Sequence, residues 1–203
     1  MSTETDKRIV PTVARFIPGI TLRKRDEGVQ GYYVAAAGIS GGWRAAVVMH
    51  SLDEGQSWLP VATIKRESVM GRVVALELHA DDKFLDAVTV RLLHAGMSLE
   101  SRAAGDVEAG ANRLMIGREV LSFTEARLVA ACTWRISGIT RGRKQTSFAT
   151  LPAAGQSATF IDERALVRVD VLDERARAGV YVVASAGQRV IDEPFAEFSD
   201  YLI

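Results

Sequence analysis

The sequence predicts a mainly β protein with little helix, its antiparallel strands forming a sandwich or a partly closed barrel. Punctuation is the first observation. Turn residues recur roughly every 8–12 residues, the spacing of short strands joined by turns: Pro18-Gly19, Asp26-Glu27-Gly28, Gly38 to Gly42, Asp53-Glu54-Gly55, Gly71, Asp81-Asp82, Gly105, Gly110, Gly117, Gly138, Gly142, Gly155, Gly179 and Gly187. Alternation is the second. Val88, Val90 and Leu92 are separated by Thr89 and Arg91, Trp134 and Ile136 by Arg135, and Val167, Val169 and Val171 by Arg168 and Asp170, which is the period of a half-buried strand. The third is the lack of an i, i+3, i+4, i+7 apolar stripe longer than about two turns.

The elements follow in order. Residues 1–14 begin polar, lack periodicity and are interrupted by Pro11, so they read as a flexible arm, a candidate for strand addition to a neighbour's sheet edge; order begins near Phe16. Residues 15–104 form a first β-domain, in which Ala45 to His50 and Leu59 to Ile64 make a hairpin and Val88 to Leu93 a strand. A helical turn is expected around Asp82 to Asp86. Residues 105–203 form a second lobe, divided from the first near Gly105 to Gly110. It holds extended runs across Asn112 to Phe123 and Val129 to Ser137, and a strand at Leu166 to Val171. Its tail is the best helical candidate, Glu193 to Tyr201, with Pro194 suited to a first helical position.

Composition sets outer bounds. The chain has 203 residues, enough to bury roughly two-thirds of its unfolded surface. Lysine plus arginine balance aspartate plus glutamate at 25 each, so no global field holds it to nucleic acid or an anionic membrane. No apolar run approaches the ~20 residues of a membrane span, the first residues lack the apolar core of a secretory signal, and synthesis in a bacterial cytoplasm is expected. The single cysteine, Cys132, sits in what reads as an apolar strand and is expected to be an inert core thiol.

Ser51, Asp53, Gly55 and Trp58 fit the Ser-x-Asp-x-Gly-x-(Ser/Thr)-Trp pattern called an Asp-box. The aspartate can accept bonds from its own turn, Gly55 can supply a positive φ, and Trp58 can pack beneath, so the box should fix the hairpin. It also occurs in sialidase propellers, where it is structural, and one copy cannot build a propeller. Arg141, Arg143 and Lys144 are the densest basic cluster, a candidate interaction loop for an acidic neighbour or an anionic cell-surface glycan. The alternative is a loop paired internally to Glu119 or Glu125. No aromatic residue is interleaved there as a stacking platform, which argues against nucleic acid. His50, His79 and His94 share no ligand spacing, and His94 reads as a satisfied histidine. Asp81, Asp82 and Asp86 lack the pattern of a calcium loop. No metal or cofactor is expected. Glu77, Glu119 and Glu125 are available to an enzyme acting on peptidoglycan, but no motif anchors them, and the chain reads as not an enzyme.

Several segments resemble, in order and spacing, the large tail-tip (host-specificity) proteins of gene transfer agents and related long-tailed phages. The resemblance covers about residues 16–146. Tyr32-Tyr33-Val34-Ala35-Ala36-Ala37-Gly38 and Gly42-Trp43-Arg44-Ala45-Ala46 are similar to the segments that precede an Asp-box-like hairpin in that family. Asn112, Gly117, Glu119 and Phe123 match its Asn-x-x-x-x-Gly-x-Glu-x-x-x-Phe pattern. Ser137-Gly138-Ile139-Thr140-Arg141-Gly142-Arg143-Lys144-Gln145-Thr146 is similar to its Leu-Ser-Gly-Leu-Leu-Arg-Gly-Arg-Arg-Gly-Thr segment. Gln145 stands where the family has a second turn glycine. The family's proteins are much longer, carrying hub domains and often a glycoside-hydrolase-like barrel, so this chain reads as a separate module or a fragment. The resemblance implies a virion tail-tip or baseplate component, trimeric in the particle, with hub and fibre proteins as partners and host attachment as a further role. A carbohydrate-binding module, resting on Trp43, Trp58 and the Asp-box, is the alternative.

Overall fold

Gly31 to Gly38 explain the architecture: Gly-Tyr-Tyr-Val-Ala-Ala-Ala-Gly has no charged residue and does not alternate, as expected of a strand covered on both faces. The structure, a computed structural model, describes residues 10–79, 84–171, 179–185 and 188–189. In chain order its strands are β1 (Thr12–Pro18), β2 (Gly31–Gly38), β3 (Ala46–Ser51), β4 (Leu59–Ile64), β5 (Met70–Leu78), β6 (Leu85–Leu92), β7 (Arg113–Ile116) and β8 (Glu119–Ser122). There follow β9 (Glu125–Ala130), β10 (Thr133–Ser137), β11 (Thr140–Arg143), β12 (Ser157–Phe160), β13 (Val167–Asp170), β14 (Val180–Ser185) and β15 (Gln188–Arg189). One short helix, α1, spans Ala104–Glu108, and Lys24–Asp26 form a 3-10 turn.

The strands make three antiparallel sheets, none closed into a barrel, consistent with a β-sandwich. The order is β1-β2-β13 in the first, β11-β8-β7-β12-β5-β6-β10-β9 in the second and β15-β14-β3-β4 in the third. The three-stranded sheet is the middle layer. On one face Ile17, Tyr33, Ala35 and Ala37 join the core of the eight-stranded sheet, with Val73, Val88, Val90, Leu114, Leu121 and Ile136. On the other, Ala14, Tyr32, Val34 and Ala36 meet Ala46, Val48, Ile64, Tyr181 and Val183 of the four-stranded sheet. Tyr32 stacks edge-on to Phe16 and to Tyr181, each at 5.2 Å between ring centres. Alanines at 35 to 37 let both neighbouring sheets approach one strand; β2 is fully buried from Tyr32 to Ala37.

Polar groups bind the middle layer to its neighbours. Arg15, a lone cation in the apolar run of β1, donates to the carbonyls of Met115, Ser157 and Gly117 and to the Thr159 hydroxyl, pinning β1 across β7 and β12. Tyr33 donates its hydroxyl to the buried Asp26 carboxylate and accepts from the Leu22 N–H at 3.2 Å. Its ring carries the Arg168 guanidinium 5.1 Å from the centre, and burial, then the Asp26 bond, push its phenol pKa up. His94 accepts at Nδ1 from the Gly96 N–H, 3.1 Å, which leaves Nε2 to donate to Glu67 at 3.1 Å; Glu67 also accepts from the Gly38 N–H. The histidine is satisfied, in the loop after β6.

Several expectations are corrected. β1 starts at Thr12, inside the segment expected to be an arm, because its backbone pairs with β2 from Thr12 opposite Gly38; residues 1–9 lie outside the described residues. The division at Gly105 to Gly110 is not a sheet boundary: β12 pairs with β5 and β10 with β6, so strands from before and after it interleave. The whole eight-stranded sheet comes from β5 to β12, while the other two sheets combine β1 to β4 with β13 to β15. Leu85 and Asp86 belong to β6 rather than a helical turn, and the helix is instead α1, ended by Gly110 at φ 115°. Cys132 is not in a strand core. It turns the β9–β10 hairpin at φ 56°, half-buried, its carbonyl accepting from the Leu92 N–H at 2.7 Å. The expected tail helix at Glu193 to Tyr201 lies outside the described residues.

Candidate functional site

The basic turn and the Asp-box lie on different sheets, the first at the β11 edge of the eight-stranded sheet, the second between β3 and β4 of the four-stranded one. They form two local devices.

In the box, Asp53 accepts from the Ser57 N–H at 2.8 Å, from the Ser57 hydroxyl at 2.5 Å and from the Ser51 hydroxyl at 2.7 Å. Ser51 in turn accepts from the Gly55 N–H at 2.8 Å. Glu54 and Gly55 take positive φ, 58° and 90°, and the half-buried Trp58 ring lies under Gly55, 3.2 Å from where a Cβ would stand. The Ser57 hydroxyl first, then its N–H, hold the Asp53 pKa down at about 2. The backbone donor expected from the sequence is present as the Ser57 N–H, and the Ser51 and Ser57 hydroxyls add two side-chain donors that the expectation of backbone bonds did not include.

In the basic turn the two arginines are committed within the chain. Arg141 donates from Nε and Nη2 to the buried Glu119 carboxylate at 2.9 and 2.6 Å, and only 16% of its side chain and 7% of that of Glu119 are exposed. The same carboxylate accepts the Gly142 N–H at 3.1 Å, so β11 is docked on β8 by a charged fork rather than by a full ladder. Arg143 donates to the Ser122 hydroxyl at 2.9 Å and to Glu108 of α1 at 2.6 Å. Burial, then Arg113 nearby, hold the half-buried Lys144 ammonium pKa below its usual value. Gly142 is at φ 65°, and a Cβ there would stand 2.4 Å from the Phe148 ring, a ring that packs 5.8 Å from the Arg141 guanidinium.

Arg143 to Thr146 close a tight turn with the Thr146 N–H donating to the Arg143 carbonyl at 3.2 Å. Both central residues, Lys144 and Gln145, have positive φ, 55° and 60°, the geometry of a type I′ turn, which favours Asn-Gly. Gln145 therefore takes the left-handed conformation without glycine. Thr146 fixes the base, its hydroxyl accepting from the Val120 N–H and donating to the Arg143 carbonyl. Gln145 and the run Ser147 to Thr150 are exposed, with Phe148 58% open.

The carboxylates named for an enzyme are separately engaged. Glu77 is forked by Arg135 at 2.7 and 2.6 Å, Glu119 by Arg141, and Glu125 accepts from Ser137 at 2.9 Å. Among the described residues no group of three or more His, Cys, Asp or Glu is placed to hold a metal. Trp43 is half-buried, its indole N–H donating to Thr12 at 2.8 Å. Sequence reasoning missed Arg15, Glu108 and Phe148. The first was legible as a single charge inside an apolar run; the other two act only through a contact 35 and several residues away.

A search of curated proteins returns no match to the chain. The profile of a family described as "Rcc01698-like, C-terminal" matches residues 68–161, a span that takes in β5 to β12 and therefore the whole eight-stranded sheet with the basic turn, so it is over this sheet that the chain is similar to that family.

Proposed function

We propose that the chain is a structural component of a tail tip or baseplate of a long-tailed phage or gene-transfer-agent-like particle, packing against hub or fibre proteins and contributing to host attachment. One observation carries the reading: the segments resembling tail-tip proteins run in that family's order through one chain, from Tyr32 to Gly38, through Gly42 to Ala46 and the Asp-box, to Arg141-Gly142-Arg143. The uses these motifs have here are consistent with a scaffold role. The first is the middle strand of three layers, the Asp-box locks a hairpin, and Arg141 and Arg143 clamp a sheet edge. What the loop leaves to a neighbour is its tip, Lys144-Gln145 with Phe148. The trimer implied by the resemblance is part of the proposal.

A sugar-binding module needs an open aromatic face, whereas Trp43 and Trp58 are half-buried, the first bonded to Thr12 of β1 and the second packed under its own turn at Gly55. The tail reading is therefore preferred. Its test is quantitative mass spectrometry of purified particles from the strain that carries the gene. The expected result is a fixed, small copy number per particle that co-purifies with tails after heads are removed; a protein absent from particles sinks the proposal.

A further inference from the structure

The eight-stranded sheet is continuous in sequence, and its two chain ends meet. Its first strand, β5, and its last, β12, are antiparallel neighbours with Met70 opposite Thr159, and the Phe160 N–H donates to the Val69 carbonyl at 2.9 Å. The chain therefore enters and leaves this sheet at one place. Residues 68–161, the span similar to the Rcc01698-like, C-terminal family, begin and end at that same place. Outside it, β4 ends at Ile64 and β13 begins at Val167, and these two strands lie against each other. The remainder, β1 to β4 with β13 to β15, has its own core, running from Ala14 and Tyr32 through Val48 to Val183; among the described residues none of 68–161 contributes to it. The core of the eight-stranded sheet comes mostly from the span 70–161 and is covered by Ile17, Tyr33, Ala35 and Ala37 of the middle layer.

From this arrangement we propose that residues 68–161 are a module inserted between β4 and β13 of a complete two-sheet module, and that the two modules open as separate cooperative units. Adjacent chain ends are what an insertion requires, and a unit with its own contiguous ladder and core can open while its neighbour stays folded. In the native state the two remain packed, and they part only in rare openings. Polar links cross the seam between them. Arg15 of β1 donates to the carbonyls of Met115, Gly117 and Ser157, and at the entry point the Ser68 N–H donates to the Ala36 carbonyl at 2.9 Å. Losing such a link weakens both units at once, whereas a cavity inside one core weakens that unit alone. The division runs between layers: β2 opens with β3 and β14, although one of its faces covers the eight-stranded sheet. The inference does not depend on the tail-tip reading.

The test is native-state hydrogen exchange of the full chain, read by mass spectrometry at rising, sub-denaturing urea, in the wild type and in matched core variants. Val88 and Val48 are both fully buried, the first in the core of the eight-stranded sheet and the second in the other core. Val88→Ala is expected to lower the protection of β5, β6, β7, β10 and β12 tenfold or more and that of β2, β3 and β14 less than threefold. Val48→Ala is expected to do the reverse, and Arg15→Met to lower both groups threefold or more. Should either valine variant lose the native circular dichroism spectrum, Ile136→Val and Ile64→Val replace them, with a threefold fall expected in one group only. Both groups falling equally with either core variant, β2 responding with β5 to β12, or a division of the response near Gly105 to Gly110 would each overturn the proposal.

Discussion

At the scale of single residues, the turn after β11 is where the chain departs most from local preference. Gln145 occupies a left-handed conformation that costs a side-chain-bearing residue roughly 1–2 kcal/mol, and Thr146 and Arg143 hold it there. Replacing Gln145 by glycine relieves that strain against a larger loss of chain entropy, so a net gain of roughly 0.5–1 kcal/mol is expected in urea unfolding; a loss would mean that the glutamine side chain makes a contact that matters. The neighbouring charge pair has the opposite sensitivity. Arg141→Ala leaves Glu119 a buried carboxylate without its cation, and destabilisation of roughly 3 kcal/mol or more is expected, with Glu119→Gln milder because it removes the charge and keeps the shape. Asp53 gives a pH signature. Its folded pKa, about 2, lies below its ordinary value, so the stability it confers is fully present above about pH 4 and is lost as the pH falls toward 2. Far-UV and Trp fluorescence titrations of wild type and Asp53→Asn should differ above pH 4 and converge as the pH falls toward 2.

At the scale of elements, what was legible depended on whether the determining contacts were local. The Asp-box was legible residue by residue, since Ser51, Asp53, Gly55, Ser57 and Trp58 satisfy one another within eight positions. The strands at Val88 to Leu92 and Trp134 to Ile136 were legible because one face is core: Val88, Val90 and Ile136 are fully buried and pair across β6 and β10. Cys132 was misread because Val129, Ala130 and Ala131 look like the interior of a strand, whereas Val129 and Ala130 end an exposed edge strand and Ala131 already begins the turn. That β1 begins at Thr12 was hidden by Pro11, whose carbonyl accepts from the Ile39 N–H. The run in β2 tells more than its hydrophobicity: with sheets on both sides, Ala35 has no space to grow. Ala35→Leu is expected to cost roughly 1–3 kcal/mol by overpacking and to shift the chemical denaturation midpoint accordingly. An unchanged midpoint would contradict the three-layer arrangement.

For the whole molecule, the chain builds one sheet continuously from β5 to β12 and then completes the other two with strands from both ends. No periodicity or turn signal marks such a nesting, because pairing of β13 with β2 and of β14 with β3 joins residues well over a hundred positions apart. The similarity to the Rcc01698-like, C-terminal family follows the continuous sheet, while the resemblance to tail-tip proteins begins earlier, in the layers that wrap it. The proposed role as a tail-tip component asks that all three sheets act as one rigid body among identical or related neighbours. The most direct measurement is a cryo-EM reconstruction of the distal tail of the particle encoded beside this gene. The account predicts density for the three sheets in symmetric copies, with the Lys144-Gln145 tip and Phe148 meeting an adjacent subunit; mature tails in which no position accommodates this fold would contradict it.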